Sequence, residues 1–408
     1  MNIAILASSF LPSIGGAEVA IHNLALQFRK MGHRVHVITW WGNWVRIRGQ
    51  LPYSVLPLLP RSHTDKDRDA LENQGKPGPG VGRQVRFYRR LFSLDVVNIQ
   101  IGSPFGPLCV PALSRARVPV VMTCQGWDLL RDAAMRYGFR LNPVHDRVLT
   151  DAIRACDLIT STSPLMDAEY LGMGVPKDRI LRIPNGADVS RIRAAIPAGR
   201  SLREKHGIPA DAKLLLTVGR NVRFKGFDYI PKILRRLLDA GRDPWWVVVG
   251  AETEGLRALG EQEGVGSRLV TIPTIGMAIG EGWTGRLCGL PPDEVIQWYR
   301  TADLYVHPAI VEPFGNIVVE SMAAGLPLVV TDGTGSAECV EKAGCGWVAK
   351  SRDVQDLADK IGRLIEDAPL RREMAVRARD GAVGYDWPAV AKQYVAAYER
   401  AIRDRRMV

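Results

Sequence analysis

Short apolar runs alternate along the chain with longer stretches of helical periodicity, and the whole pattern occurs twice. In the first half, residues 3–7, 35–40, 96–99, 119–123, 158–161 and 180–183 are apolar enough for strands buried on both faces. In the second half, residues 213–219, 245–249, 269–272, 304–307 and 327–331 repeat the pattern. Helical stretches separate them, among them 17–31, 227–240 and 316–324. Further helices at 354–366, 370–381 and 387–403 end the chain. Strand and helix in alternation predict parallel α/β sheets. Residues 62–82, SHTDKDRDALENQGKPGPGVG, break the pattern and read as a polar surface excursion. Residues 188–212, rich in Arg and Ala with two prolines, read as a linker.

At 408 residues the chain is too long for one ordinary core and suits two domains. We place them at 1–190 and 191–385, with 386–408 as a closing helix. A hydrophobic share of 46% excludes a disordered chain. No apolar run approaches the roughly 20 residues of a membrane span. Residues 1–7 are too short for the apolar core of a signal peptide and lack a basic flank. The six cysteines stand at 109, 124, 156, 288, 339 and 345, with no Cys-x-x-Cys. That spacing suggests neither zinc nor a disulfide framework and fits a reducing cytoplasm. Net charge is +11, which favours anionic partners such as sugar nucleotides, lipid phosphates or membrane surfaces. No zinc finger, RNA-binding signature or basic-aromatic platform supports nucleic acid.

The densest chemistry lies in residues 311–340, VEPFGNIVVESMAAGLPLVVTDGTGSAECV. Glu312 and Glu320 bracket a Phe314-Gly315 turn that opens a helix. Unpaired N–H groups at such a start form a natural anion site. Glu320, about a turn into the helix, can hold a pair of sugar hydroxyls, and Glu312 a second group of them. Phosphate flanked by hydroxyls describes a nucleotide-sugar. Ligands of open α/β sheets bind outside the carboxyl ends of the strands. The strand LLLTVGR ends at Arg220, and Lys225 follows in the same loop, where a diphosphate would lie. Arg223 is a third cation nearby. Gly15-Gly16 precede the first helix, where glycine lets a ligand approach the backbone. The Asp-x-Asp matches within 65–69 read as solvated charge.

The Glu312–Glu320 spacing, with Phe-Gly inside it and Ala-Ala-Gly-Leu-Pro and Glu338 after it, resembles the donor-site signature of the retaining glycosyltransferases of family 4. The resemblance extends to Arg220 with Lys225, to Gly15, Gly16 and Glu18, and to Pro184-Asn185-Gly186-Ala187-Asp188. It implies the GT-B fold, two doubly wound Rossmann-like α/β domains facing across a cleft. In that fold the last helix packs back on the first domain. It also implies donor binding by Gly16, Phe314, Gly315, Asn316, Ile317, Glu320 and the backbone at Leu290. Glu312 would hold the donor sugar and Glu320 the ribose. On the acceptor side it implies Gly15, Glu18, Gln125 and Asp128. The family usually has histidine where Gln125 stands, and Gln cannot move a proton near neutral pH. For His307, near the same site, we expect a packed, hydrogen-bonded role.

The function expected is metal-independent transfer of a hexose from a UDP- or GDP-sugar to an acceptor hydroxyl, with retention. Arg220, Lys225 and Glu312 would carry the catalysis, with no cofactor. Alternatives are a GT-B sugar-nucleotide epimerase and a non-catalytic nucleotide-sugar-binding protein. Residues 83–94 read as an amphipathic helix. Arg83, Arg86 and Arg90 share one side, and Val85, Tyr88, Leu91 and Phe92 occupy the other. Those arginines are the expected contact with an anionic membrane, making the protein cytoplasmic and peripheral at the inner membrane face.

Overall fold

Runs rich in Val, Ile and Leu, buried on both faces, build two parallel sheets. The computed structural model describes residues 1–59, 66, 67, 70, 71, 75, 76, 78–273 and 291–407. The chain divides into two compact units. One comprises Met1–Asn185 and Trp387–Val408, the other the described residues from 186 to 386.

The first unit holds β1 (Asn2–Ala7), β2 (Arg34–Trp40), β3 (Ser54–Leu58), β4 (Val96–Gln100), β5 (Val120–Thr123), β6 (Leu158–Ser161) and β7 (Ile180–Arg182). Their order is β3-β2-β1-β4-β5-β6-β7, all parallel. The second holds β8 (Leu214–Val218), β9 (Trp245–Val249), β10 (Leu269–Ile272), β11 (Leu304–His307), β12 (Leu328–Thr331) and β13 (Gly346–Ala349). Their order is β10-β9-β8-β11-β12-β13, again parallel. In each sheet the strand order reverses once, between β1 and β4 and between β8 and β11. A crevice opens outside the carboxyl ends of strands at such a point.

Alternation along β8 shows how the second sheet feeds two cores. Leu214, Leu216 and Val218 pack on one face, and Leu215 with Trp246 and Val248 on the other. In the first unit the closing helix Trp387–Arg406 buries Tyr394 and Tyr398 against Phe28, with ring centroids 6.4 and 5.5 Å apart. Arg405 adds an ion pair to Asp157 at 3.0 Å.

Three expectations change. The segment expected as a linker folds into the helices Val189–Ala194 and Gly199–Lys205, and buried Ile192 and Leu202 join the second core. Its arginines hide an apolar face too short to read. Strands β3 and β13, each at one edge of its sheet, were not expected, whereas the opposite edges β7 and β10 were. The edge also accommodates Pro57 inside β3. Finally, Asp67 is not solvated charge. It is buried, and its carboxylate accepts the Val81 N–H at 3.0 Å, satisfying an open donor at the start of the helix Gly80–Phe92. Asp65, Arg68 and Asp69 lie outside the described residues.

Candidate functional site

Two loops meet at the β8–β11 switch point. The loop after β8 ends in the turn Arg223–Lys225, and Gly226 follows in the left-handed region at φ +68°. A Cβ on Gly226 would lie 2.1 Å from the Pro308 carbonyl oxygen, so only glycine lets the backbones approach this closely. The Phe224 carbonyl accepts the N–H groups of Ile310 and Val311 at 2.8 and 3.1 Å. This stitching brings the Lys225 ammonium onto the Glu312 carboxylate as an ion pair. The Glu312 backbone is fixed from the other side by Gly333 and Gly335, each at 2.8 Å.

Glu312 is buried, and burial alone would raise its pKa. The Lys225 charge and the His307 ring outweigh that and draw it down to about 2. Glu312 is therefore a carboxylate throughout the neutral range and can accept hydroxyl hydrogens but not donate a proton. His307 is fully buried with Nε2 3.4 Å from Glu312. The expected hydrogen-bonded role needs correction. The ring is packed as expected, but its approach to Glu312 is loose, and neither ring nitrogen makes a well-formed hydrogen bond. Burial lowers the His307 pKa and keeps the ring neutral. Arg220, one residue beyond Gly219, is exposed and takes no partner among the described residues.

The helix Asn316–Ala324 starts beside this pair. Gly315 enters it at φ +85°, and no side chain caps it. Gly219 brings the two walls together, since a Cβ there would sit 3.9 Å from both Lys225 Nζ and Ile317 Cδ1. Glu320, one turn on, is buried and accepts the Tyr299 hydroxyl at 2.9 Å. Burial raises its pKa to about 7, against the smaller opposing effects of Tyr299 and the Arg191 charge. Two acids eight positions apart thus differ by about five pKa units, because one has a cation and the other a phenol.

Tyr299 and Arg191 were not predicted. Tyr299 lies on an ordinary amphipathic helix, and Arg191 lies in the supposed linker. Ser336 was also missed. Its hydroxyl is buried without a partner among the described residues, and its N–H bonds the Phe314 carbonyl at 3.0 Å. Leu290 lies outside the described residues.

In the first unit, Gly15 precedes the helix Gly16–Lys30, and buried Glu18 accepts the Ser9 hydroxyl. A Cβ on Gly15 would lie 2.7 Å from Glu18 Oε2, so glycine here makes room for the carboxylate. Asp128 ties loops together. Its oxygens accept N–H groups from Gly102 at 2.5 Å, Gln125 at 3.0 Å and Gly126 at 2.8 Å. That use of both oxygens describes a structural acceptor. Gln125 is held in place by its neighbours. Its amide donates to Gln100 at 2.6 Å, and its oxygen accepts from Asn185 at 3.5 Å. Among the described residues no three His, Cys, Asp or Glu side chains converge as a metal site requires.

Comparison with known proteins follows the same division. Residues 14–191 match the family described as Glycosyltransferase Family 4, and residues 286–381 that described as Glycosyl transferases group 1. D-inositol 3-phosphate glycosyltransferase of Nocardia farcinica is 27% identical over 303 residues, 71% of this chain and 62% of that protein. The chain thus spans less than two thirds of that relative's length. D-inositol 3-phosphate glycosyltransferase 1 of Catenulispora acidiphila is 30% identical over 301 residues, 72% of this chain and 70% of that one. Among solved structures, Anabaena Alr3699/HepE in complex with UDP superimposes with a TM-score of 0.74 at 19% identity, covering 98% of this chain and 100% of that one.

Proposed function

The chain belongs to glycosyltransferase family 4 and has the GT-B fold, and on that premise we propose that it transfers a hexose from a UDP- or GDP-sugar to an acceptor hydroxyl, with retention and without a metal ion. The observation that carries this reading is the Lys225–Glu312 pair beside the uncapped start of the helix Asn316–Ala324. The difficult step is departure of the nucleoside diphosphate. Charge developing on the leaving phosphate is stabilised by cations and N–H groups already in place. Lys225, Arg220 and the backbone at Gly315–Ile317 are those groups in this proposal. Glu312, always ionised, holds a hydroxyl of the donor sugar. Glu320 holds the ribose. Neither Glu312, bound to Lys225, nor Glu320, bound to Tyr299, is free to serve as a covalent nucleophile. Attack from the leaving-group face, with the departing phosphate oxygen taking the acceptor proton, is the mechanism this arrangement favours.

A panel of UDP-, GDP- and dTDP-sugars tests the reading by thermal stabilisation and by nucleotide release. A donor at a hundred times its dissociation constant stabilises the fold by about 2.7 kcal/mol. Inositol phosphate joins the acceptor panel because the relatives named above are inositol phosphate glycosyltransferases. The expected result is stabilisation by a UDP- or GDP-sugar and release of its nucleoside diphosphate with acceptor. Stabilisation by none would overturn the proposal. An isomerised sugar nucleotide as product would make the protein an epimerase. Binding without turnover on any acceptor would make it a binding protein.

A further inference from the structure

Between Glu18 and Asp65 the chain has no acidic residue, and between Glu72 and Asp95 it has none again. One helix from each stretch is tied to the β3 edge of the first unit. The helix Gly80–Phe92 is tied to that edge by the Tyr88 hydroxyl, which donates to the Pro57 carbonyl at 2.7 Å. The helix Trp41–Ile47 is tied to it by the Trp44 indole, which donates to the Val55 carbonyl at 3.0 Å.

The phase of the helix Gly80–Phe92 decides what it shows to solvent. Gly82 sits where a Cβ would be 2.7 Å from Ala112 and 2.9 Å from the Leu108 carbonyl oxygen. This close approach to the helix Phe105–Arg115 turns Val81, Gly82 and Val85 inward. The remaining arc, about 140° at the spacing of an α-helix, carries Arg86, Arg90, Arg83, Phe87 and Leu91 in that angular order. Phe87 is 61% exposed and Leu91 59%. The expected division, with Leu91 among the packed residues, is therefore corrected. The large apolar side chains share the open face with the arginines. On the neighbouring helix, Trp41 and Val45 are exposed one turn apart, with Arg46 and Arg48 beside them.

We propose that this edge docks on an anionic lipid bilayer and that the acceptor of the transfer proposed above, on which this inference rests for its purpose, is borne by a lipid. Arginines on one flank of a helix and exposed aromatic and aliphatic side chains on the next match the boundary of a charged membrane. Phosphates lie at the level of the guanidinium groups, and acyl chains take the apolar tips. An acidic protein would satisfy the arginines but would leave Phe87 and Leu91 without a reason to be exposed. Trp41 follows the carboxyl end of β2, the same end of the sheet from which Gly15 and Gly16 extend after β1.

Flotation of the full chain with vesicles tests this at low and physiological salt. The vesicles are 30% phosphatidylglycerol in phosphatidylcholine, or phosphatidylcholine alone. Binding should require the anionic lipid. Replacing Arg83, Arg86 and Arg90 together by Gln should weaken it by roughly a hundredfold, at about fivefold per arginine. Phe87→Ser with Leu91→Ser should remove the fraction that survives physiological salt. Phe87→Trp should give blue-shifted emission that brominated lipid quenches. UDP-induced thermal stabilisation, measured on every variant, should be unchanged. If neither UDP nor GDP stabilises even the unaltered chain, the donor reading fails while the docking result stands by itself. No binding to anionic vesicles at low salt overturns the dock. So does equal binding to phosphatidylcholine alone, or binding to anionic vesicles that is indifferent to Arg83, Arg86 and Arg90.

Discussion

Two glutamates on neighbouring turns are set to opposite tasks by what touches them. Lys225 holds Glu312 ionised with a pKa of about 2, whereas burial beside Tyr299 lifts Glu320 to about 7. Only an ionised Glu320 can accept hydrogens from both hydroxyls of a ribose. Donor KM should therefore rise as pH falls below about 7, and the rise should vanish in Glu320→Gln. A Glu320→Gln profile that still bends near 7 would place the titration elsewhere. Glu312→Gln should instead lower kcat by roughly tenfold or more and alter sugar preference, because it loses a charged hydrogen bond to the donor sugar. Both glutamates were legible in the sequence, since their spacing runs along one turn and one helix. Of their partners, Lys225 and His307 were placed near the site from the sequence, whereas Tyr299 was not: it reaches Glu320 through tertiary packing, and no local pattern marks a tyrosine that will face an acid.

At the scale of elements, the site depends on loops pinned by backbone contacts. Gly226→Ala would combine a left-handed residue with a Cβ 2.1 Å from the Pro308 carbonyl oxygen. We expect a loss of more than about 2 kcal/mol in urea unfolding, with loss of donor-induced stabilisation. Asp128→Asn exchanges an acceptor for a donor facing three backbone N–H groups. It should cost about 1–3 kcal/mol while leaving donor stabilisation intact. Unchanged stability with lost turnover would return Asp128 to the acceptor site. The central strands were legible because parallel strands covered on both faces must be continuously apolar. The edge strands β3 and β13 and the short helices of residues 189–205 were not, because their apolar content is small and their place is fixed by neighbours distant in sequence.

Across the whole molecule, each unit has its own core and its own buried titrations. In the first, His22 is held neutral by burial with a pKa of about 4. Between about 6.5 and 4 the unfolded chain then binds more protons than the folded one, so stability falls as pH falls. In the second, Glu320 has a raised pKa. The folded state there binds more protons between about 4.5 and 7, so its contribution to stability falls as pH rises through that window. Glu312, with its lowered pKa, contributes stability above about 4.5 that is lost as pH falls toward 2. Calorimetry between pH 4.5 and 6.5 should therefore show His22 pulling the transition of the first unit down on acidification and Glu320 pulling that of the second up, against the opposing pull of buried His307. Glu320→Gln should abolish the upward movement. Parallel movement of both transitions would contradict these assignments. The division into two α/β units was legible from the doubled pattern. The exposed face of the helix Gly80–Phe92 was only half so, because its phase depends on Gly82 against the helix Phe105–Arg115.

The central claim is that preorganised cations, not a metal ion, carry off the leaving diphosphate. The most direct test is the initial rate of nucleoside diphosphate release from the preferred donor, measured in EDTA for the unaltered chain and for Lys225→Ala. The account predicts full activity of the unaltered chain in EDTA and a loss of roughly a hundredfold or more in kcat for the variant. Activity abolished by EDTA and restored by manganese or magnesium, or a Lys225→Ala variant that turns over at the unaltered rate, would contradict it.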